Sequence, residues 1–156
     1  MARTSESSKF DLREHLNSKL VETSLKATTK AEVIDELVGI LDRNGLLSDV
    51  PAAKQAIMER ETSMSTGMQH GVAVPHGKTD TVQRLVCAVG LKKEGIDFNS
   101  IDGELSKVFV IMLSPSLASG NHLQFMSTIG RVLNRTGAEK VLACKSADEI
   151  VSLLSQ

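Results

Sequence analysis

The stretch Val108-Phe109-Val110-Ile111-Met112-Leu113 decides the fold, because its apolar residues follow one another without a polar interruption. Successive side chains of a strand point to opposite faces, so a wholly apolar strand needs cover on both sides. The run therefore predicts a central strand between two layers. Upstream, residues 85–91 alternate larger apolar side chains with Ala88 and Gly90, which predicts a second strand. Between these strands, Asp102-Gly103 predicts a tight turn.

Two helices are predicted on the N-terminal side of the strands. Residues 29–32, Thr-Lys-Ala-Glu, form a capping box, and the apolar stripe behind them predicts a helix that ends near Gly45. Asp49 and Pro51 are typical of a helix start, and the second helix should reach about residue 61. A small-residue loop over 62–70 then leads to a short strand.

More helices are predicted in the C-terminal third. Asn121 should cap a helix that runs from residue 122 to about 135, with Gly137 as its end. A loop is predicted before this helix, over 114–121, and a short helix after it, over 138–143. Ser146 and Glu149 form a further capping box, which predicts a last helix. Helices that alternate with strands around a buried strand predict an α/β fold, a layered sandwich with helices on both faces of the sheet.

Composition favours one soluble domain. The chain has 156 residues, 41% of them hydrophobic and 24% charged, and residues 1–9 form a polar, Ser-rich segment that predicts a flexible tail before a domain over 10–156. The net charge of −1 gives no electrostatic argument for nucleic acid or for an anionic membrane. No apolar run approaches the ~20 residues that span a bilayer.

The cytoplasm is the expected location. The N-terminal residues lack the apolar segment of a secretory signal. Cys87 and Cys144 lie far apart in apolar contexts, so we expect both to be buried, reduced thiols. With no Trp or Tyr and four Phe, stacking on bases or sugar rings is not the expected mode of recognition.

One histidine, His76, stands in a local frame that would fix its backbone. Residues 72–74 (Val-Ala-Val) predict a short strand, and Pro75 should end it because proline gives no N–H to a sheet. Gly77 allows a sharp turn or a close approach to another group. An imidazole has an ordinary pKa near 6.5, so its neutral form is available as a nucleophile at neutral pH. A structural histidine that hydrogen-bonds a strand end is the other interpretation.

Metal binding is a further interpretation of the histidines. His70 and His76 are six residues apart, with Asp80 and His122 elsewhere in the chain. A tetrahedral site takes three or four ligands, usually at helical or knuckle spacing, and these residues show no such pattern. We therefore expect neither a native metal site nor a cofactor.

His122 is the second histidine of interest. It shares one line of its predicted helix with Met126, Ile129 and Leu133, so it should face inward or along the domain edge. It is either a packed histidine or a partner of His76 beside a helix N-terminus, where free N–H groups suit a phosphate.

Residues ahead of His76 have two interpretations each. Arg60 is either a donor for the same site or a solvated helix charge between two glutamates, and residues 65–67 (Ser-Thr-Gly) either line a pocket or form a turn. Lys78, which follows His76, is a weaker candidate, because a lysine after a turn is most often exposed to solvent. Met64, Met68 and Val72 either form an apolar rim that could dock successive partners or are ordinary core residues.

Taken together, these residues resemble the fructose/mannitol-type enzyme IIA domain (EIIA type 2) of the bacterial phosphotransferase system. The resemblance covers nearly the whole chain from about residue 10. It rests on these segments: Arg60-Glu61, Ser65-Thr66-Gly67, Gly71-Val72-Ala73-Val74-Pro75-His76-Gly77-Lys78, Ile96 to Gly103, and Asn121-His122-Leu123. A histidine at the position of His70 departs from the small polar residue often found there in the family.

The resemblance implies a transferase, a histidine phosphocarrier built on a mixed sheet. By similarity, His76 accepts a phosphoryl group from an HPr-type protein and passes it to a IIB cysteine or holds it as a signal. His122 would hydrogen-bond the phosphoryl group and Arg60 would support it, with no metal or nucleotide required. Because the sequence carries no IIB or IIC segment, we expect the nitrogen-regulatory kind. A sugar-specific transport component and a non-catalytic binding module of the same fold are the alternatives.

Overall fold

The structure, a computed structural model, describes residues 10–117 and 119–155, so the predicted tail over 1–9 lies outside the described residues. Its strands are β1 (Val21–Glu22), β2 (Val72–Ala73), β3 (His76–Lys78), β4 (Val86–Ile96) and β5 (Ser106–Ser114). Its α-helices are α1 (Lys30–Arg43), α2 (Val50–Ser63), α3 (Ser119–Val132), α4 (Arg135–Ala143) and α5 (Ala147–Leu154). Two short 3₁₀ turns, Leu12–Glu14 and Ser18–Leu20, precede β1.

The sheet is mixed, with β5 at its centre. β4 pairs with β5 in antiparallel register, while β2 and β3 both run parallel to β5 on its other side. β1 pairs in parallel with the outer edge of β4. The α/β class and the mixed sheet implied by the resemblance are thus confirmed.

The central strand is buried on both faces, as its apolar run predicts. Every residue of 108–113 is at most 1% exposed. α1 packs on β4 and β5 and contacts α2, whereas α4 packs on β5 and on α5, which reaches β1. Because neighbouring side chains of β5 point to opposite faces, burial of all of them requires a helical layer on each side.

Three predicted helix starts are confirmed by their hydrogen bonds. The Thr29 side chain accepts from the N–H of Glu32 at 3.2 Å, and Asp49 accepts from the N–H of Ala52 at 3.0 Å. Ser146 in turn caps α5. Each cap satisfies one of the amide groups that a helix start leaves without an intrahelical partner. α2 continues to Ser63, two residues beyond the predicted end.

Two strand predictions needed correction. β2 does end before Pro75, but pairing with β5 resumes after it as β3, a strand that the sequence did not predict. β4 extends to Ile96, past the predicted end at 91, because Ile96 still pairs with Ser106 after an irregularity in the ladder. The Asp102-Gly103 turn is confirmed: the Gly103 N–H donates to Ser100 O at 3.0 Å, and Gly103 has φ +75°.

The predicted bounds of the 122–135 helix were wrong at both ends. α3 begins at Ser119, so Asn121 lies inside the helix and is not its N-cap, since residues 119 and 120 already precede it in the same helix. α3 ends at Val132, and Asn134 caps α4 by accepting from the Gly137 N–H at 2.8 Å. Gly137 therefore lies in the first turn of α4 rather than at the end of α3.

Gly137 is explained by a close approach. A Cβ atom there would lie 1.8 Å from the carbonyl oxygen of Val132, so only glycine lets the first turn of α4 meet the last turn of α3.

The cysteines are both free thiols, but only one matches the prediction of burial. Cys87 is 1% exposed, whereas Cys144 is half-buried after the end of α4. Among residues 10–117 and 119–155, no helix is long and apolar enough to cross a membrane.

Candidate functional site

His76 is held on the sheet by the strand that carries it. It lies opposite Met112 of β5, and the Met112 N–H donates to the carbonyl of Pro75 at 3.0 Å. Gly77 follows because β3 runs against α2: a Cβ there would lie 2.9 Å from the carbonyl carbon and oxygen of Ala56. Gly77 therefore serves a close approach rather than a turn.

The imidazole of His76 has a defined tautomer. Its Nδ1 lies 2.7 Å from the carbonyl oxygen of Val74. A carbonyl oxygen only accepts, so Nδ1 carries the proton and donates it. In the neutral ring, Nε2 then holds the free electron pair.

Burial lowers the pKa of His76 below its usual value of 6.5, and the charge of Arg60 adds to that effect. The hydrogen bond to Val74 and the charge of Glu61 act in the opposite direction without reversing it. The side chain is only 9% exposed. At neutral pH, His76 is therefore an uncharged ring with a nucleophilic Nε2.

His122 lies beside His76, as the sequence suggested. It stands in the first turn of α3, with its ring centroid 5.4 Å from that of His76 and the two planes at 70°. Its Nδ1 is 2.9 Å from the hydroxyl oxygen of Ser114, the last residue of β5. Burial lowers the pKa of His122, and the charges of His76, Lys78 and Arg60 lower it further.

Arg60 belongs to this neighbourhood. It is half-buried near the end of α2, and its Nη1 donates to the carbonyl oxygen of Met64 at 2.7 Å. Its charge acts on both histidines, which lowers their pKa values. Lys78 is the exposed last residue of β3, and its charge acts on His122. Two cationic side chains, Arg60 and Lys78, thus act on the histidine pair, which suits an anionic group.

The segment 65–67 forms a turn rather than a pocket wall. The Ser65 hydroxyl donates to the carbonyl of Phe98 and also accepts from the N–H of Gly67. Thr66 is buried, and its N–H and hydroxyl both donate to Glu61.

The sequence did not predict the roles of two residues near the site. Glu61 is buried in line with Ala53 and Ile57 on α2, and that i, i+4, i+8 spacing was the signal that it faces inward. Ser114 is fully buried and follows directly on the apolar run of β5. A hydroxyl at the end of such a run needs a partner, and His122 provides it.

The predicted docking rim of Met64, Met68 and Val72 is only partly exposed. Met64 is 69% exposed and Met68 is 36% exposed, so both are accessible to a partner. Val72 is only 2% exposed in β2 and belongs to the core, although its carbonyl accepts from the Met68 N–H at 2.7 Å. Met68 also lines a cavity of about 250 Å³ with Ile129, and neither histidine of the pair borders that cavity.

His70 lies on the same cavity, away from the histidine pair. It has φ +65°, and its N–H donates to the Asp102 carboxylate at 3.1 Å. Asp80 accepts from the N–H of Ser116 at 3.1 Å. Within the described parts of the chain, no three His, Cys, Asp or Glu residues gather as a metal site would require.

Chemically, the arrangement suits transfer of an anionic group. It combines one neutral nucleophilic nitrogen, a second imidazole and two cationic side chains near them. Transfer of a phosphoryl group needs positioning and charge stabilisation more than covalent assistance from the protein.

Comparison with known proteins assigns the family. The family model described as "Phosphoenolpyruvate-dependent sugar phosphotransferase system, EIIA 2" matches residues 14–156. The fructose-specific EIIABC component of the phosphotransferase system of Bacillus subtilis (strain 168) is 34% identical over 146 residues. That alignment covers 93% of this chain and 23% of the Bacillus protein, so this chain spans less than a quarter of that relative's length.

Two further similarities extend over most of both chains. The fructose-specific EIIA component of Haloferax volcanii is 32% identical over 129 residues, which are 82% of this chain and 84% of that protein. The crystal structure of nitrogen regulatory protein IIA-Ntr from Neisseria meningitidis superposes with a TM-score of 0.83 at 27% identity, over 90% of this chain and 97% of that one. The chain therefore belongs to the EIIA type 2 family of the phosphoenolpyruvate-dependent sugar phosphotransferase system, and it is a phosphocarrier component.

Proposed function

We propose that His76 is the phosphoryl acceptor of this phosphocarrier and that the group is carried on Nε2. The observation behind this proposal is the hydrogen bond from Nδ1 to the Val74 carbonyl, which leaves Nε2 with the free electron pair. The lowered pKa of His76 supports it, because a neutral ring is the reactive form.

The donor is an HPr-type phosphohistidine. The Nε2 electron pair of His76 attacks phosphorus in line with the donor N–P bond; the new bond forms as the old one breaks, and the donor imidazole keeps the released pair. The Nδ1 proton of His76 stays in its hydrogen bond to Val74 throughout.

His122 and Arg60 stabilise the transferred group. When the Ser114 hydroxyl donates to Nδ1 of His122, Nε2 of that ring carries a proton and can donate it to a phosphoryl oxygen. Arg60 supplies positive charge to the same neighbourhood. Such donors act most strongly where water is excluded, and His76 is almost wholly buried.

A IIB cysteine is the proposed acceptor from His76, in place of the nitrogen-regulatory role that the sequence led us to expect. This choice is supported by the two fructose-specific relatives, whose identities of 34% and 32% exceed the 27% of the nitrogen regulatory structure. Use of the phosphorylated state as a regulatory signal is the second candidate, favoured by the TM-score of 0.83 to IIA-Ntr. Either role places the protein in the cytoplasm, where free thiols such as Cys87 persist.

The test is the intact mass of the protein after incubation with phosphoenolpyruvate, enzyme I and HPr, beside His76→Ala. We expect one acid-labile phosphoryl adduct on the unmodified protein and none on the variant. An adduct of equal yield on His76→Ala would refute the assignment, and no adduct on either, with HPr or a nitrogen-branch donor, would indicate a non-catalytic binding module. Adding a fructose-type IIB domain to the phosphorylated protein then tests the acceptor by loss of the adduct.

A further inference from the structure

Glu61 is an ionised carboxylate buried behind the proposed acceptor. Its side chain is 3% exposed, and Oε2 receives hydrogen bonds from Lys30 Nζ at 2.9 Å and from the Thr66 N–H at 3.0 Å. Oε1 accepts from the Thr66 hydroxyl at 2.5 Å. Burial raises the pKa of Glu61, but these hydrogen bonds outweigh it and hold the pKa below its usual value.

A buried charge needs a reason, because removing a carboxylate from water is expensive even when it is paired. The Lys30 ammonium that balances it also lies 4.9 Å from the ring centroid of Phe98. Glu61 joins two segments. Lys30 at the start of α1 donates one hydrogen bond to it, and Thr66, after the end of α2, donates two.

A chain of hydrogen bonds leads from Thr66 to the reactive ring. The carbonyl of Thr66 accepts from the N–H of Val74 at 3.0 Å. The carbonyl of the same Val74 accepts from Nδ1 of His76 at 2.7 Å. The position of the Val74 carbonyl therefore depends on Thr66, and Thr66 is fixed by Glu61.

We propose that Glu61 is a positioning residue for His76: through Thr66 and Val74 it holds the Nδ1–H tautomer that leaves Nε2 free to accept the phosphoryl group. This inference rests on the proposed function of His76 for its catalytic meaning. Glu61 is buried, and the hydrogen bonds that it makes within residues 10–117 and 119–155 go to Lys30 and Thr66 rather than to the ring of His76.

The test is Glu61→Gln, read by ¹⁵N NMR of histidine-labelled protein and by phosphoryl-transfer kinetics from phosphorylated HPr. The NMR reports which nitrogen of His76 carries the proton, a property that a merely structural residue would leave alone. We expect a single Nδ1–H form in the unmodified protein and a mixture of tautomers in the variant. The maximal rate should fall roughly tenfold to a hundredfold with an unchanged half-saturating donor concentration, since the change misplaces the ring without altering donor contacts.

Glu59→Gln is the matched control: the same change on the same helix, at an exposed side chain that pairs with Gln55. It should leave the tautomer and the rate unchanged. Thr66→Val and Thr66→Ser form a milder pair, because only the serine keeps the hydroxyl that donates to Glu61. Valine should partly reproduce the effect of Glu61→Gln, and serine should restore the original behaviour.

A pure Nδ1–H tautomer in folded Glu61→Gln, or in Thr66→Val where the first variant does not fold, overturns the proposal whatever the rate. The NMR measurement needs no phosphoryl transfer, so it is independent of the His76 assignment. Phosphorylation of His76→Ala would defeat the proposed function, whereas an unchanged tautomer would defeat only the role of Glu61.

Discussion

His76 and His122 meet edge to face, with ring centroids 5.4 Å apart, although 46 positions separate them in the chain (122 minus 76). Each ring has its own backbone or side-chain partner at Nδ1: the Val74 carbonyl for His76 and the Ser114 hydroxyl for His122. In both rings, Nε2 is therefore the nitrogen that these two partners do not engage.

Replacement of His122 tests its part in transfer. His122→Ala should keep the fold, because the side chain is only half-buried, and should slow phosphorylation of His76 by about 10²-fold or more, as loss of one donor to a transition-state oxygen does. Rapid-quench kinetics with phosphorylated HPr measure the rate. Leu123→Ala, at a 68% exposed neighbour, is a control for helix integrity and should not slow the chemical step. An unchanged rate in His122→Ala would remove it from the site.

Arg60 should matter through its charge. Arg60→Ala should raise the pKa of His76, since the guanidinium lowers it, and should slow transfer roughly tenfold to a hundredfold, as charged donors contribute about 1.5–3 kcal/mol. Arg60→Lys keeps the charge and should preserve most of the pKa shift. An NMR titration of the histidines measures both variants. If the His76 pKa and the rate stay the same in Arg60→Ala, the residue is a solvated helix charge.

Stability should depend on the histidine pair below neutral pH. Both rings have pKa values below 6.5 in the folded protein, so the unfolded chain binds more protons as the pH falls. The contribution to the free energy of unfolding is complete above pH 6.5 and is lost as the pH falls through the folded pKa values.

Urea unfolding at about pH 8 and about pH 5.5 measures this loss. The double variant His76→Gln/His122→Gln should lose less stability between the two conditions, because it lacks the two imidazoles whose pKa values are lowered by folding. An equal loss in the variant and the unmodified protein would show that the pKa values of the pair are not shifted.

Gly77 should be intolerant of a side chain. Gly77→Ala places a methyl group 2.9 Å from the Ala56 carbonyl, so β3 and α2 must separate, and we expect a loss of about 1–3 kcal/mol in the free energy of unfolding. The control is Gly130→Ala within α3, where nothing lies within 4 Å and alanine should stabilise the helix by up to about 1 kcal/mol. Urea titrations that gave the two variants equal stability would contradict this view of the β3–α2 contact.

The two thiols should differ in reactivity. Burial raises the pKa of Cys87 to about 12, so hardly any thiolate forms there at neutral pH. Cys144 is half-buried. Its partial burial raises its pKa, and the charge of Glu149 adds to that effect, but the rise is smaller than the rise at Cys87. Iodoacetamide should therefore label Cys144 alone in the folded protein and both thiols in urea. Peptide mapping that found Cys87 labelled under native conditions would argue against its burial.

Much of the fold was predictable because the relevant signals are local. The apolar run at 108–113 could be stable only between two layers, and the caps at Thr29, Asp49 and Ser146 follow from side chains that bond the amides a few residues ahead. The Pro-His-Gly frame likewise indicated a positioned imidazole. The predictions failed where a distant element set the outcome, as at Gly137, which is required by the carbonyl of Val132 in the preceding helix.

By itself, the sequence determined the α/β class, the central strand and the residue types of the site, because periodicity, caps and reactive side chains are properties of neighbouring residues. Only the tertiary structure decided which atoms meet. It brought His122 to His76, fixed the proton of His76 on Nδ1, placed Val72 in the core and buried Glu61 behind the site. These outcomes depend on packing between segments far apart in the chain, and no local pattern encodes the distance between them.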